Sequence, residues 1–288
     1  MRTIDNAIIK QIDAATNTLL GGSYEVESQA TLDIAPDGFD AAVIAAGVHV
    51  DLFSNGFTDL FDDEASSSQS TVSQNLTTNA GSIQLTATTL TSRAGTVDNT
   101  GRINADRFGT FAVTDSDGNR GTLNVTGAEG QVSGINEIDA DLVVTDGGTV
   151  SPGNHPNQVS TLSVLGDVTF ATGDDAPNLE VDIDDLNADR LFVSGDLVLD
   201  GTVHVNVTED VPLLGGTFQD YLILFAASGS ITGNFSDVID NSDEFAFTTY
   251  VNESGNRVFL RATVVPEPAA ASVLLALCLR FTRRRARG

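Results

Sequence analysis

Carboxylate and amide side chains alternate in the segment 115–119, and this spacing is typical of loops that bind calcium. Asp115, Asp117 and Asn119 place an oxygen at every second position, so the three side chains can converge on one hard cation. An EF-hand is excluded because Arg120 stands where that loop needs glycine and Thr126 where it needs its last glutamate. We therefore interpret 115–119 as a tight turn between strands. Weak calcium binding is the alternative, and we expect no other metal or cofactor.

Motifs of catalysis are missing from the sequence. It contains no Gly-x-Ser-x-Gly, no phosphate-binding loop and no His-Glu-x-x-His. His49, His155 and His204 are scattered, and we interpret each as a surface or turn residue. Asp182 and Asp184 alternate in sequence, which is typical of a solvated strand face. Two catalytic carboxylates would have to lie about 5–10 Å apart, which a sequence does not show. We expect a protein that is not an enzyme.

The charge of the chain excludes some classes of partner. The 288 residues include 40 Asp and Glu against 14 Lys and Arg, a formal net charge of −26. Residues 1–265 hold nine basic and 39 acidic residues, a net −30. Such a body repels the phosphate backbone, so we expect no nucleic-acid partner. The only cysteine, Cys278, excludes an intrachain disulfide and a cysteine-based zinc site.

Residues 266–288 form three consecutive blocks. Pro266-Glu267-Pro268 comes first, an apolar run from 269 to 279 follows, and an arginine cluster ends the chain. The apolar segment includes Ala269, Leu274, Leu275, Leu277 and Leu279. The basic stop consists of Arg280, Arg283, Arg284, Arg285 and Arg287. Eleven apolar residues as a helix extend about 16 Å. Since the hydrocarbon core is about 30 Å thick, we expect only transient membrane insertion, with the arginines on the cytoplasmic side.

This order of blocks, from Val265-Pro266-Glu267-Pro268 to the arginines, resembles the PEP-CTERM sorting signal of exported bacterial proteins. The resemblance implies recognition by an exosortase, a membrane-embedded cysteine protease that cuts near the Pro-Glu-Pro motif. It implies delivery to the cell envelope, the cell surface or the medium. It also links the chain to bacteria that make extracellular polysaccharide.

The first twenty residues do not have the composition of a secretory signal. They contain Asp5, Lys10 and Asp13 and no apolar run of seven residues. For an exported protein, we therefore expect the true start to lie upstream of Met1, with another export route as the alternative. Apolar residues at helical spacing follow Thr3, so residues 1–20 are predicted to form a capping helix.

The body, residues 21–265, shows strand periodicity. The segments 179–183, 203–207 and 260–264 alternate apolar and polar residues, and clusters of Gly, Asp and Asn separate such segments. Four segments of the type Leu-x-Val-x-(Gly/Asp) begin at Leu123, Leu142, Leu162 and Leu191. Their intervals of 19, 20 and 29 residues predict a β-solenoid with an insertion at 173–177. A β-sandwich or jelly roll is the alternative.

The segments 148–154, 162–170 and 189–203 are similar to the autotransporter-associated strand repeat. The Ser151-Pro152-Gly153-Asn154 turn is the most specific part, and the similarity covers residues 120–240. It implies an all-β, right-handed parallel β-helix of a secreted passenger region. We expect aromatic-rich strands at 221–225, 245–247 and 258–264 to close its C-terminal end, before the tail 266–288 with its short apolar helix.

Together these features predict an exported, non-enzymatic cell-surface or extracellular-matrix protein. Its expected partners are an exosortase-type membrane protease, the membrane through the C-terminal tail, and extracellular polysaccharide. The alternatives are a β-helix polysaccharide lyase or hydrolase, which clustered carboxylates and an arginine on adjacent coils would favour, and a calcium-dependent adhesin.

Overall fold

The protein is all-β in its computed structural model. No helix occurs within the residues that the structure describes, and therefore none of them forms a helix long and apolar enough to cross a membrane. Those residues are 12–13, 15–16, 18–26, 43–53, 71–73, 76–86, 89–153, 159–184, 187–208 and 218–265.

The strands, numbered along the chain, lie in three sheets. Sheet A contains β1 (Ile12–Asp13), β2 (Thr18–Leu19), β4 (Val43–Ile44), β7 (Thr78–Asn79), β10 (Thr96–Asn99), β13 (Thr122–Thr126), β16 (Asp141–Thr145), β19 (Val168–Phe170), β23 (Leu197–Leu199) and β26 (Ile231–Gly233). Sheet B contains β3 (Gly22–Val26), β5 (Val48–Phe53), β8 (Ser82–Thr86), β11 (Arg102–Asp106), β14 (Gln131–Gly134), β17 (Thr149–Pro152), β20 (Asn178–Asp184), β21 (Asn187–Ala188), β24 (Thr202–Val207) and β27 (Asp237–Asp240). Sheet C contains β6 (Thr71–Ser73), β9 (Thr89–Ser92), β12 (Thr110–Val113), β15 (Glu137–Asp139), β18 (Thr161–Val164), β22 (Arg190–Val193), β25 (Phe218–Ala226), β28 (Phe245–Val251) and β29 (Arg257–Val264).

Successive strands of the chain belong to sheets A, B and C in turn, and each set of three strands forms one coil of a helix. β10, β11 and β12 form one coil, and β13, β14 and β15 pair with them in parallel as the next. One coil takes from 18 residues, between Gln131 and Thr149, to 35 residues, between Thr202 and Asp237. This arrangement is a parallel β-helix. The predicted fold class is confirmed, and the sandwich alternative is wrong because the pairing along each sheet is parallel through the body.

The core is a set of apolar ladders inside the coils. In sheet A the buried residues Val97, Leu123, Leu142, Val168 and Leu197 stand in register on successive strands. Sheets B and C have equivalent ladders, since every second residue of a strand points inward. Each coil therefore buries its apolar side chains against the coils above and below it.

The predicted repeat is confirmed in two pairs and wrong between them. Leu123 stacks on Leu142 in sheet A, and Leu162 stacks on Leu191 in sheet C. Leu142 is in register with Val168 and not with Leu162, so the four segments belong to two faces of the helix. The predicted insertion at 173–177 does lie between two strands, β19 and β20.

The two ends of the solenoid differ from its body. Residues 12–13 and 18–19 pair as an antiparallel hairpin, so the predicted capping helix is wrong at these positions, while residues 1–11 lie outside the described residues. Thr16 and Thr18 lie at its turn, and the strand-forming alternation outweighs the helical spacing there. At the other end the aromatic-rich strands β25, β29 and β28 run antiparallel at the edge of sheet C, and closure of the solenoid by these strands stays a prediction.

Candidate functional site

The sorting motif and the two blocks behind it, residues 266–288, lie outside the described residues. The structure does describe the body up to the residue before the motif. The backbone N–H of Val265 donates a hydrogen bond of 2.9 Å to the carbonyl oxygen of Glu244. Pro266 has no N–H with which to extend this pairing. The hydrogen-bonded body thus reaches the residue that directly precedes the predicted motif.

The predicted calcium loop is a closed turn. The Asp115 carboxylate accepts hydrogen bonds from the backbone N–H groups of Asp117 and Asn119, at 2.9 and 2.8 Å, and from the side-chain amide of Asn119 at 2.9 Å. These donors, with the Asn119 side chain first, lower the pKa of Asp115. Thr114 and Arg120 pair across the turn as an antiparallel bridge. The turn interpretation is confirmed, and calcium binding stays a prediction. Nowhere in the described ranges do three or more His, Cys, Asp or Glu side chains group in a metal-binding arrangement.

The two histidines that the structure describes lie at the surface, as the sequence predicted. His204 points outward between the buried Val203 and Val205, and its Nε2 lies 3.1 Å from the Asn178 side-chain oxygen. The His49 ring is half exposed and lies 3.0 Å from Asp51. His155 lies outside the described residues.

The Gly-Asp motifs have a structural role that their sequence did not show. At the corner between sheets C and A, the Asp141 carboxylate accepts the backbone N–H of Asp167 at 3.0 Å, and Asp167 accepts that of Asp196 at 2.7 Å. Gly195 precedes Asp196 because a Cβ there would lie 2.0 Å from the Asp167 carboxylate. These acidic residues therefore connect one coil to the next.

A polar groove of about 810 Å³ runs along the outer face of sheet B. Its lining side chains come from strands β8, β11, β14, β17, β20, β24 and β27. Seven neighbouring strands at about 4.8 Å give the groove a length of about 29 Å. Because this concave surface gathers polar side chains from seven strands, we take it as the candidate functional site.

The groove has a neutral half and an acidic half. On β8, β11, β14 and β17 the side chains that line the groove are mainly amides and hydroxyls, and the charges in this half are Arg102 and, just before β14, Glu129. On β20, β24 and β27 the lining includes Glu180, Asp182 and Asp240. The Asp182 carboxylate accepts a hydrogen bond of 2.9 Å from the Asn206 amide. Asp182 thus lies on the solvated strand face that the sequence predicted.

Two carboxylates of the groove, Glu180 and Asp182, lie far from its arginine. Glu180 and Asp182 are two residues apart on one face of β20, so their Cα atoms are separated by about 7 Å. Arg102 lies on β11, which is three strands away from β20. At the usual spacing of neighbouring strands, the backbones of β11 and β20 are about 14 Å apart. The cluster of carboxylates with an arginine on an adjacent coil, which would favour a lyase, is therefore not formed by these residues.

A buried carboxylate, Asp189, lies behind the acidic half of the groove. It is 2% exposed, and its two oxygens accept the backbone N–H groups of Ser160 at 2.7 Å and Asp182 at 3.0 Å. Burial raises its pKa to about 7 against the effect of these donors. Sequence reasoning missed this side chain because a single Asp between short strands has no distinguishing pattern.

Comparison of the chain with models of protein families and with curated proteins gives no match.

Proposed function

We propose that this protein is an exported, non-enzymatic component of the bacterial cell surface or extracellular matrix, sorted by its C-terminal tail. The observation that carries the proposal is the three-block tail placed immediately after the last hydrogen bond of the body. Val265 is still paired with Glu244, and Pro266 begins the motif. A protease that cuts at the motif would leave every described hydrogen bond of the body in place.

The surface of the body supports the same proposal. Carboxylates such as Asp141, Asp167 and Asp196 are exposed at the corners, and the body carries a net −30. This charge keeps neighbouring molecules apart in solution. In sheet C the antiparallel strands β29 and β28 also follow the last parallel pair, so this sheet does not continue its parallel pairing at the C-terminal end. Both features suit a protein that must remain soluble after its release from the membrane.

The proposal is tested in the native host, where the gene keeps whatever precedes Met1. Intact mass and cell fractionation are compared between wild-type cells and cells without exosortase. We expect an extracellular product that ends near Pro266, and we expect it to be lost in the mutant cells. Full-length protein in the cytoplasm of both strains would refute the proposal.

A matched pair of variants separates the motif from proline content in general. Pro266→Ala combined with Pro268→Ala should abolish processing, because the recognised motif is destroyed. Pro212→Ala, a change outside the tail, should leave processing unchanged. Equal processing of both variants would show that the Pro-Glu-Pro motif does not direct sorting.

A second candidate function, hydrolysis of a polysaccharide, is favoured by the Glu180 and Asp182 pair. Their separation of about 7 Å along β20 falls within the range of glycosidase carboxylates. The test is release of reducing ends from polysaccharides by the purified protein. Activity lost in Glu180→Gln and kept in Asp98→Asn, which changes an exposed carboxylate of sheet A, would establish the enzyme.

A further inference from the structure

We propose that the neutral half of the groove binds a neutral, polyhydroxylated glycan. This inference deepens the proposed function, because a surface or matrix protein is expected to meet such polymers, and it names the site and the class of ligand. It depends on the outer face of four consecutive parallel strands, β8, β11, β14 and β17.

Strand register arranges the polar side chains of these strands in two lanes. In the first lane Ser82 is followed by Arg102 and then Gln131. In the second lane Gln84 is followed by Asn104 and then Ser133. Each lane continues onto β17. The side chains repeat every 4.8 Å or so along the helix axis, and the two lanes are about 7 Å apart. A polymer lying along the axis therefore meets similar polar groups at regular intervals over about 14 Å.

The chemistry of the lanes matches hydroxyl groups. Amide side chains such as Gln84, Asn104 and Gln131 carry both donors and acceptors, and so do serine hydroxyls. A sugar hydroxyl also donates and accepts, so each can bond to its neighbours in the lane. Because this half offers almost no apolar side chain, an apolar peptide or a lipid chain would find no pocket there.

Asn104 has an unused hydrogen-bonding atom within the second lane. Its side-chain oxygen Oδ1 is buried and, among the described residues, receives no hydrogen bond. A buried acceptor without a donor is unfavourable. Because this oxygen is closed to solvent, a ligand hydroxyl between Gln84 and Ser133 would supply that donor once the Asn104 side chain rotates towards the groove.

Charge selects among classes of polysaccharide. The groove contains Arg102 as its one arginine, against Glu129, Glu180, Asp182 and Asp240. Together with the net −30 of the body, these carboxylates repel an anionic polymer. A cationic polymer would be attracted to the entire surface and would not require the lanes. Among the three classes, only the binding of a neutral polysaccharide depends on the hydrogen-bonding pattern of the two lanes.

The test is affinity electrophoresis of the full-length protein in native gels that contain hydroxyethylcellulose, dextran or galactomannan. Gels with alginate supply the anionic comparison, and gels with chitosan oligomers the cationic one. We expect at least one neutral polymer to retard the protein and alginate to have no effect. Failure of all three neutral polymers, or stronger retardation by alginate, would overturn the inference.

Variants show whether the lanes make the contact. Asn104→Ala should weaken binding by about threefold to tenfold through the loss of one hydrogen bond, and the double variant Gln84→Ala/Gln131→Ala should abolish detectable retardation. Asn124→Ala is the control, since Asn124 lies on the outer face of sheet A and bonds to Asp98 at 2.8 Å. Equal retardation of all variants would overturn the inference, as would chitosan binding that exceeds neutral binding and ignores these changes.

Two further readouts keep the interpretation clear. Asn104→Ala removes an unpaired buried acceptor, so its unfolding midpoint should equal or exceed that of the wild type; a loss of binding then cannot come from unfolding. Binding in the gel does not involve the sorting tail. A protein that binds glycan but is not processed by exosortase would refute the proposed sorting and leave this inference standing. A protein that is processed by exosortase but binds none of the neutral glycans would refute this inference and leave the proposed sorting standing.

Discussion

The substitution Asn99→Ala should destabilise the solenoid strongly, because Asn99 connects three successive coils from inside the core. Both Asn79 and Asn99 are 0% exposed at the corner between sheets A and B. The Asn79 side-chain amide donates to the Asn99 oxygen at 2.7 Å, and the Asn99 amide donates to the backbone oxygen of Gln131 at 3.0 Å. Removing Asn99 therefore breaks both contacts and leaves a space in the corner.

The magnitude follows from those two hydrogen bonds. Each contributes about 1 kcal/mol, and an acceptor left buried without a donor adds about 1–3 kcal/mol. With the space left by the side chain, we expect the free energy of unfolding to fall by about 3–5 kcal/mol. A single domain has about 5–15 kcal/mol in total, so this loss is large.

Asn124→Ala is the matched control, since Asn124 sits on β13, the strand next to Asn99, but faces solvent. Its amide bonds to Asp98 at 2.8 Å on the exposed face. An exposed hydrogen bond of this kind should cost less than about 1 kcal/mol. Urea unfolding followed by circular dichroism measures both variants, since the chain contains no Trp for fluorescence.

A second substitution tests whether the loss of stability comes from the broken hydrogen bonds or from the lost side-chain volume. Asn99→Asp keeps the size, but an ionised carboxylate cannot donate to the Gln131 oxygen 3.0 Å away. The buried charge has no cationic partner among the contacts of Asn99, so this variant should be less stable at pH 7 than at pH 4. Equal losses for Asn99→Ala and Asn124→Ala, or an Asn99→Asp variant as stable as the wild type at pH 7, would refute the reasoning.

Three other predictions concern the body. Burial raises the Asp189 pKa from 3.8 to about 7, so wild-type stability should decline as the pH rises from 4 to 7, and urea midpoints of Asp189→Asn should lack this decline. Gly101→Ala should cost about 3 kcal/mol, because its Cβ would lie 2.0 Å from a backbone oxygen of the preceding coil. Gly127→Ala, at φ +80 in open space, should cost only about 1 kcal/mol, and thermal unfolding compares the two. Arg261→Gln removes the hydrogen bonds that lower the Asp220 pKa, so its thermal destabilisation should be full at pH 7 and should shrink below pH 3.8.

Strand positions could be predicted because alternation is a local property. The sequence segments 179–183, 203–207 and 260–264 lie within β20, β24 and β29. Which sheet a strand joins could not be predicted in the same way, since all three faces use the same apolar alternation. The Leu142 and Leu162 segments look alike, yet one lies in sheet A and the other in sheet C.

The groove could not be predicted because it is assembled from one or two side chains per strand across many coils. Coil length varies from 18 to 35 residues, so Gln84, Asn104 and Ser133 show no constant period. The buried asparagines did leave a signal. Asn79-Ala-Gly81 and Asn99-Thr-Gly101 repeat Asn-x-Gly before successive strands of sheet B, where the asparagine stays inside and the glycine allows close approach of two coils.

The separation between body and tail connects the fold to the proposed role. A solenoid is stabilised by contacts between neighbouring coils, so its stability is lost from an end that is left open. Here β29 and β28 extend sheet C with antiparallel strands, and Tyr250 stacks on Phe259 across them at 5.5 Å. The described pairing reaches Val265. Because all of these contacts lie before Pro266, a body that ends at Val265 should unfold at the same urea concentration as the full chain. A markedly lower midpoint would mean that the tail belongs to the folded body, and cutting at the motif would then damage the protein that sorting is proposed to release.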